Sequence, residues 1–267
     1  MKQVTKHLIL VLLILAIILF AVYYYVSVSR TERQEIFVAS GHPEWAPIMW
    51  QQQGRIVGAG PDLVTKIFTD LGVKIESKYT GLWDMVQQKA KVGSVDVLVA
   101  VYKTAERETY MDYSIPYTTD PIAVVVKKGS DLKYNQWEDL VGKLGVLTVG
   151  DSYGQEFDDF AAAKLSTIRA NSAIEAVNSL EDGSADYFVY ALYSAERMIA
   201  KNGLQDKIEI LPKYVAEENF YVTISKVSPL AKYLPEINSL IKKYKADGTI
   251  DQMILENKEL YKEQIMK

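Results

Sequence analysis

The sequence predicts an α/β protein built from two consecutive α/β units, preceded by one apolar helix. Three observations predict this. Short runs rich in β-branched and aromatic residues alternate with stretches of helical periodicity, the pattern of a parallel sheet flanked by helices. The alternation restarts near residue 143 after a polar interval. All charged side chains except Lys2 and Lys6 follow Ser29, which leaves an uncharged run at 8–28.

That run has 21 residues bounded by Lys6 and His7 before it and by Arg30, Glu32 and Arg33 after it. At about 1.5 Å per residue it reaches roughly 30 Å, the thickness of a bilayer core. A cleavable signal normally ends in small residues, whereas this stretch ends in Tyr23, Tyr24 and Tyr25, which suit a membrane interface. The expectation is an uncleaved signal-anchor, with the body held outside the cytoplasmic membrane; a cleaved signal and a soluble periplasmic body are the alternative.

The rest of the chain, about 235 residues, is large for one core and comfortable for two lobes. In order, the patterns predict a strand at 35–40, a helix at 61–71, a strand at 73–79, a helix at 82–91 and a strand at 95–101, followed by a polar turn. A strand at 122–127 comes next. The second unit opens with a strand at 143–149, a helix from about 152 to 164, a helix at 173–180 and a strand at 187–190 followed by another helix. A strand at 220–225, a helix at 229–246 and a charged amphipathic tail complete the chain. Pro61 and Pro229 suit helix starts, and Gly72 and Gly203 suit helix ends.

Composition excludes several functions. The chain has 267 residues, 49% of them hydrophobic and 24% charged, within the ordinary globular range. A formal charge of -4 argues against nucleic-acid binding. Cysteine is absent and the 2 histidines are His7 and His42, so thiol nucleophiles, cysteine-ligated metals, disulfides and histidine-rich metal sites lack material. No cofactor or metal is expected.

An ordered set of motifs resembles a known family. Gly93-Ser94-Val95-Asp96 is followed by Thr104-Ala105-Glu106-Arg107 and then by Asp112-Tyr113-Ser114-Ile115-Pro116-Tyr117. Gly58-Ala59-Gly60-Pro61-Asp62-Leu63, Gly150-Asp151-Ser152, Gly183-Ser184-Ala185-Asp186 and Ala246-Asp247-Gly248-Thr249 fall in place around them. The set is similar to the bacterial extracellular solute-binding proteins of family 3, the polar amino-acid ABC importer type. The resemblance implies the type II periplasmic-binding-protein fold, in which the chain builds lobe one, crosses to lobe two and returns. Lobe one would hold residues 30–121 and 222–267, lobe two 122–221, with 1–29 as the anchor. Each lobe would be a mainly parallel sheet flanked by helices. The implied function is capture of a small polar or carboxylate-bearing solute between the lobes and its presentation, by a monomer, to an ABC permease.

Arg107 takes the position of the family's arginine that grips the ligand carboxylate, a task suited to its planar five-donor fork. Gly150-Asp151-Ser152 follows an apolar strand and is expected to open a helix, where backbone N–H groups attract anions; the plain alternative is an N-cap. Trp45 stands where the family often stacks an aromatic ring on the ligand, and His42 lies on the same loop. Trp83 begins the second helix, where packing is the competing role. Tyr102 replaces the family's usual threonine or serine five residues before the arginine, and with Tyr117, Tyr190 and Tyr193 it could line a more aromatic pocket. Ala191 stands where the family usually has the acid that pairs with a ligand ammonium. Burying an unpaired ammonium costs several kcal/mol, so another acid is needed if the ligand is an amino acid. Asp151, Asp120 and Glu218 are the candidates.

Two other functions share this fold. The module could sense a ligand for a membrane signalling partner, and the expectation is that a kinase or cyclase domain lies on that partner. A dehydratase-like enzyme would need a general acid or base such as Glu156 or Asp151 in the cleft. Neither a triad nor a metal-ligand spacing stands out, and binding is the expected activity.

Overall fold

The computed structural model describes residues 14–21 and 36–265. Residues 14–21 are helical with exposed side chains, and the remainder of the predicted 8–28 span lies outside the described residues. Among the described residues no helix is long and apolar enough to cross a membrane. The chain divides into Met1–Ile36 and Phe37–Lys267, and the second unit carries the fold.

Within Phe37–Lys267 the first α/β unit begins with β1 (Phe37–Ser40), a small antiparallel sheet of β2 (Glu44–Trp45), β3 (Met49–Gln52) and β4 (Arg55–Val57), then α1 (Ala59–Asp70), β5 (Ile75–Ser77), α2 (Trp83–Lys91) and β6 (Val97–Val101). Helix α1 buries Leu63, Val64, Ile67 and Phe68, an i, i+1, i+4, i+5 stripe that faces one side. Every residue of β6 is buried, as expected of an interior strand covered on both faces. The short α3 (Ala105–Glu108) and β7 (Met111–Tyr113) lead to the long β8 (Thr118–Lys127). A second unit of similar design follows, with β9 (Leu144–Thr148), α4 (Gln155–Lys164), β10 (Ser166–Ala170), α5 (Ala173–Glu181), β11 (Tyr187–Ala191) and α6 (Leu192–Lys201). The chain returns through β12 (Ile208–Ser225) and ends in α7 (Leu234–Ala246) and α8 (Thr249–Ile265).

The two units repeat one topology. β1 lies between β5 and β6, parallel to both, and β9 lies between β10 and β11, again parallel to both. Each unit fixes the start of its central strand with an aspartate. The Asp96 carboxylate accepts the Val38 N–H at 2.8 Å, and the Asp186 carboxylate accepts the Leu144 N–H at 2.7 Å. Both aspartates close Gly-x-x-Asp motifs, so those motifs serve the sheets and not the ligand. Asp96 also accepts the Ser228 hydroxyl at 2.7 Å, tying β6 to the segment that enters α7.

β8 and β12 join the two units into one mixed sheet with strand order β10-β9-β11-β8-β12-β6-β1-β5. They pair antiparallel with each other, β8 with β11 and β12 with β6. The sheet is therefore parallel within each lobe and antiparallel where the chain crosses. This two-lobed architecture agrees with the α/β expectation.

The structure corrects several boundaries. The predicted strand at 220–225 is the last third of an 18-residue strand, because pairing with β8 extends it back to Ile208. The 229–246 helix is split into a 3₁₀ turn at Pro229–Tyr233 and α7. Helix α4 starts at Gln155, not at Ser152, because Gly154 is its N-cap with φ 98° and Tyr153 is buried, its hydroxyl accepting the Thr148 N–H at 2.8 Å. The β2–β4 sheet and β10 carry no alternating pattern strong enough to read in advance.

Gly145 in β9 shows how closely lobe two is packed. A Cβ there would sit 2.4 Å from the Tyr187 ring, which is fully buried. Gly145→Ala is expected to destabilise the fold by about 2 kcal/mol through overpacking. Urea unfolding checks this, and an unchanged midpoint with unchanged slope would show that the ring has room to move.

Candidate ligand-binding site

The site forms where the loop after β1, the start of α2, the end of β6 and α3 meet the loop after β9. The Thr-x-x-Arg motif folds as a capped turn: Thr104 Oγ1 accepts the Arg107 N–H at 3.2 Å and starts α3. That cap directs Arg107 inward, where it is only 5% exposed. Its Nε–H donates to Gln87 Oε1 at 3.0 Å, one Nη1–H to the Tyr102 carbonyl at 3.1 Å and one Nη2–H to the Gly150 carbonyl at 3.1 Å. The guanidinium also lies 5.5 Å from the Trp83 ring centroid, within cation–π range. Among the described residues no carboxylate is within ion-pair distance of Arg107. It is a buried cation held by neutral acceptors.

Gly150 brings the second lobe against it. Its φ is +78°, and a Cβ there would lie 3.1 Å from the Gln87 amide and 3.2 Å from the Asp84 Cα. Glycine is thus the residue that lets this backbone approach α2. The Gly150 carbonyl accepts from the Gln87 amide at 3.0 Å as well as from Arg107.

Asp151 is the acid of the pocket. Its Oδ1 lies 3.2 Å from His42 Nε2 with almost no exposure, and its Oδ2 accepts the Thr148 hydroxyl. This contact joins the β1 loop to the β9 loop. Ser152 donates its hydroxyl to Asp158 and accepts the Gly154 N–H at 3.3 Å, so its side chain is engaged within its own loop. Burial raises the pKa of Asp158 above its ordinary value, with the Ser152 hydrogen bond opposing the shift.

Trp45 and Tyr102 form the floor. The Trp45 Nε1–H and the Tyr102 hydroxyl both donate, at 2.6 Å each, to Oδ2 of the fully enclosed Asp120. Burial pushes the Asp120 carboxyl up to about 6, and those two hydrogen bonds, which favour the ionised form, offset only part of the shift. The Tyr102 ring stacks on Phe220 at 4.8 Å, and the edge of Trp45 meets His42 at 4.8 Å.

The cavity enclosed by these residues has a free volume of about 20 Å³, room for a single water. His42, Trp45, Trp83, Tyr102, Arg107, Asp151 and Ser152 all line it. Tyr190 does not, because the Trp45 ring stands between; Tyr190 packs behind it at 5.2 Å and donates to the Glu44 carbonyl at 3.0 Å. Ala191 is fully buried, Tyr193 is largely exposed, and Tyr117 is spent on the Val99 carbonyl at 3.2 Å. Glu218 lies against Gly154, away from the cavity, with its pKa raised by burial and by the nearby Asp158 and Glu156. Met49, Phe220 and Gln87 were not anticipated. Gln87 had a readable signal, since it sits one helical turn after Trp83 and so shares its face of α2.

Comparison with known proteins gives the family. The profile of bacterial extracellular solute-binding proteins, family 3, matches residues 38–257. The chain belongs to this family. It is 27% identical over 208 residues to the glutamine-binding protein GlnH of an ABC transporter in Bacillus subtilis, covering 75% of this chain and 72% of that protein. It is 21% identical to a probable amino-acid ABC transporter-binding protein of Haemophilus influenzae, covering 85% and 86%. Among solved structures, an ancestral arginine-binding protein bound to arginine superposes with a TM-score of 0.69 at 27% identity, covering 83% of this chain and 97% of that one. A histidine kinase sensor domain superposes with a TM-score of 0.71 at 20% identity, covering 84% and 96%, a likeness of fold. The protein is a solute-binding protein.

Asp120 gives this solute-binding protein a pH signature. Between about pH 4 and 6 the folded chain holds a proton on Asp120 that the unfolded chain has released, so its contribution is full at low pH and is lost as pH rises through about 6. Relative to Asp120→Asn, whose amide oxygen can accept the same two hydrogen bonds, wild type is expected to lose about 3 kcal/mol between pH 4 and 7. Urea unfolding across that range checks this; parallel curves for the two proteins would refute it.

Proposed function

We propose that this protein captures a small, carboxylate-bearing, amino-acid-like solute between its lobes outside the cytoplasm and presents it, as a monomer, to an ABC importer. The observation that carries the reading is Arg107, a buried cation with no carboxylate partner among the described residues. Its five N–H donors make three bonds to neutral acceptors, which leaves two donors and an uncompensated charge for a ligand carboxylate. The amino-acid-binding relatives support the ligand class.

Lobe one is proposed to comprise 30–121 and 222–267 and lobe two 122–221, with the hinge in the β8 and β12 crossings. A water-sized cavity cannot admit an amino acid, so entry requires the lobes to part and the Arg107 to Gly150 bond to open. The ligand carboxylate would take that position on the guanidinium. Asp151 is proposed to replace the acid lost at Ala191, exchanging its His42 contact for the ligand ammonium. Trp45 and Trp83 would flank the ligand body. Residues 1–29 are proposed to anchor the body to the membrane.

Arg107→Ala is expected to abolish ligand-induced thermal stabilisation across a screen of L-amino acids, while lowering intrinsic stability by about 3 kcal/mol through its orphaned acceptors. Asp151→Asn is expected to weaken L-amino acids by about tenfold or more and to spare acids that lack the α-amino group. Unaltered ligand shifts in Arg107→Ala would remove the arginine from the carboxylate role, and equal loss for both ligand sets in Asp151→Asn would remove Asp151 from the ammonium role.

A further inference from the structure

A second cavity of about 220 Å³ lies on the far side of Trp45 and Tyr190 from Arg107. One wall comes from the β2–β3 region with Glu44, Ala46 and Trp50, and the other from α5 and α6. Three features make it an anion site. Arg197 and Lys201 both line it, four residues apart and so on one face of α6. Among the described residues neither has a carboxylate within ion-pair distance. Trp50, buried in the opposite wall, has an indole Nε1–H without a hydrogen-bond partner among the described residues, an unmet donor at the edge of the cavity.

The remaining walls select the ligand. The Tyr261 ring sits 5.1 Å from Trp50 and 5.8 Å from the Arg197 guanidinium, so aromatic surface adjoins the cations. Ile174 and Met198 add apolar contact. A bare inorganic ion would leave that surface uncovered, whereas a molecule with a carbon body would cover it. Glu44 is already engaged, its carboxylate accepting the Ala173 N–H at 3.3 Å. We propose that this cavity binds a small organic carboxylate, held by Arg197, Lys201 and the Trp50 indole. Because its walls come from elements on both sides of the cleft, occupancy would hold the two sides together and tighten binding at Arg107 by linkage. The site itself does not rest on the reading of the Arg107 cleft.

The test is calorimetric titration of the purified full-length chain with succinate, and with sulfate as a bare anion. Succinate should bind saturably to wild type and to Arg107→Ala. It should bind at least about tenfold more weakly to the Arg197→Gln, Lys201→Gln double variant, and measurably more weakly to Trp50→Phe, which keeps the ring and loses the donor. Sulfate should bind more weakly than succinate. No saturable binding, equal affinity in the double variant, or binding abolished by Arg107→Ala alone would overturn the site, and sulfate matching succinate would overturn the carboxylate assignment. If the double variant does not fold, Lys201→Gln and Trp50→Phe carry the same comparison.

Discussion

A buried guanidinium without a countercharge is the constraint around which the cleft is arranged. A cation taken out of water must be matched by acceptors or by an opposite charge. Arg107 finds its acceptors in the Gln87 side chain and in two carbonyls, one of them from Gly150 across the cleft. That last bond requires a backbone to approach helix α2 closely, which in turn requires glycine at a positive φ. The Thr104 cap, the position of Gln87 on α2 and the turn at Gly150 are therefore parts of one arrangement. Among the described residues no carboxylate completes it.

The frame that delivers those parts is a repeated unit. In each lobe a central strand has parallel neighbours on both sides, and an aspartate at the end of a Gly-x-x-Asp turn holds the start of that strand. Both motifs stand out in the sequence and belong to the resemblance, yet their carboxylates face backbone N–H groups and have no part in the cleft. The long antiparallel pair β8 and β12 makes the lobes one sheet and carries the chain between them.

The pocket also relocates charge. With Ala191 neutral, the acids near the ligand region are Asp151, in contact with His42, and Asp120, beneath Trp45 and Tyr102. Both were among the candidates read from the sequence, and geometry separates them from Glu218, which packs against its own lobe. Tyr117, Tyr193 and Glu218 lie outside the cavity at Arg107, and so does Tyr190. Its place on β11 was legible, but the ring that fills the space in front of it, Trp45, comes from β2, more than a hundred residues earlier in the chain.

The sequence by itself determined the α/β class, the restart of the pattern and most helices, and it singled out Arg107 as a candidate. Local periodicity, caps and ordered motifs report on these directly, because each is fixed by residues a few positions apart. Only the tertiary structure decided the full length of β12, the β2–β4 sheet, the role of Gln87, the choice between acids and the cavity at Arg197. Those depend on which distant backbone lies alongside, and a stretch such as 208–219, interrupted by Pro212 and by register shifts around Tyr214, takes its length from pairing with β8. Long-range pairing creates the partner, and with it the meaning of the residue.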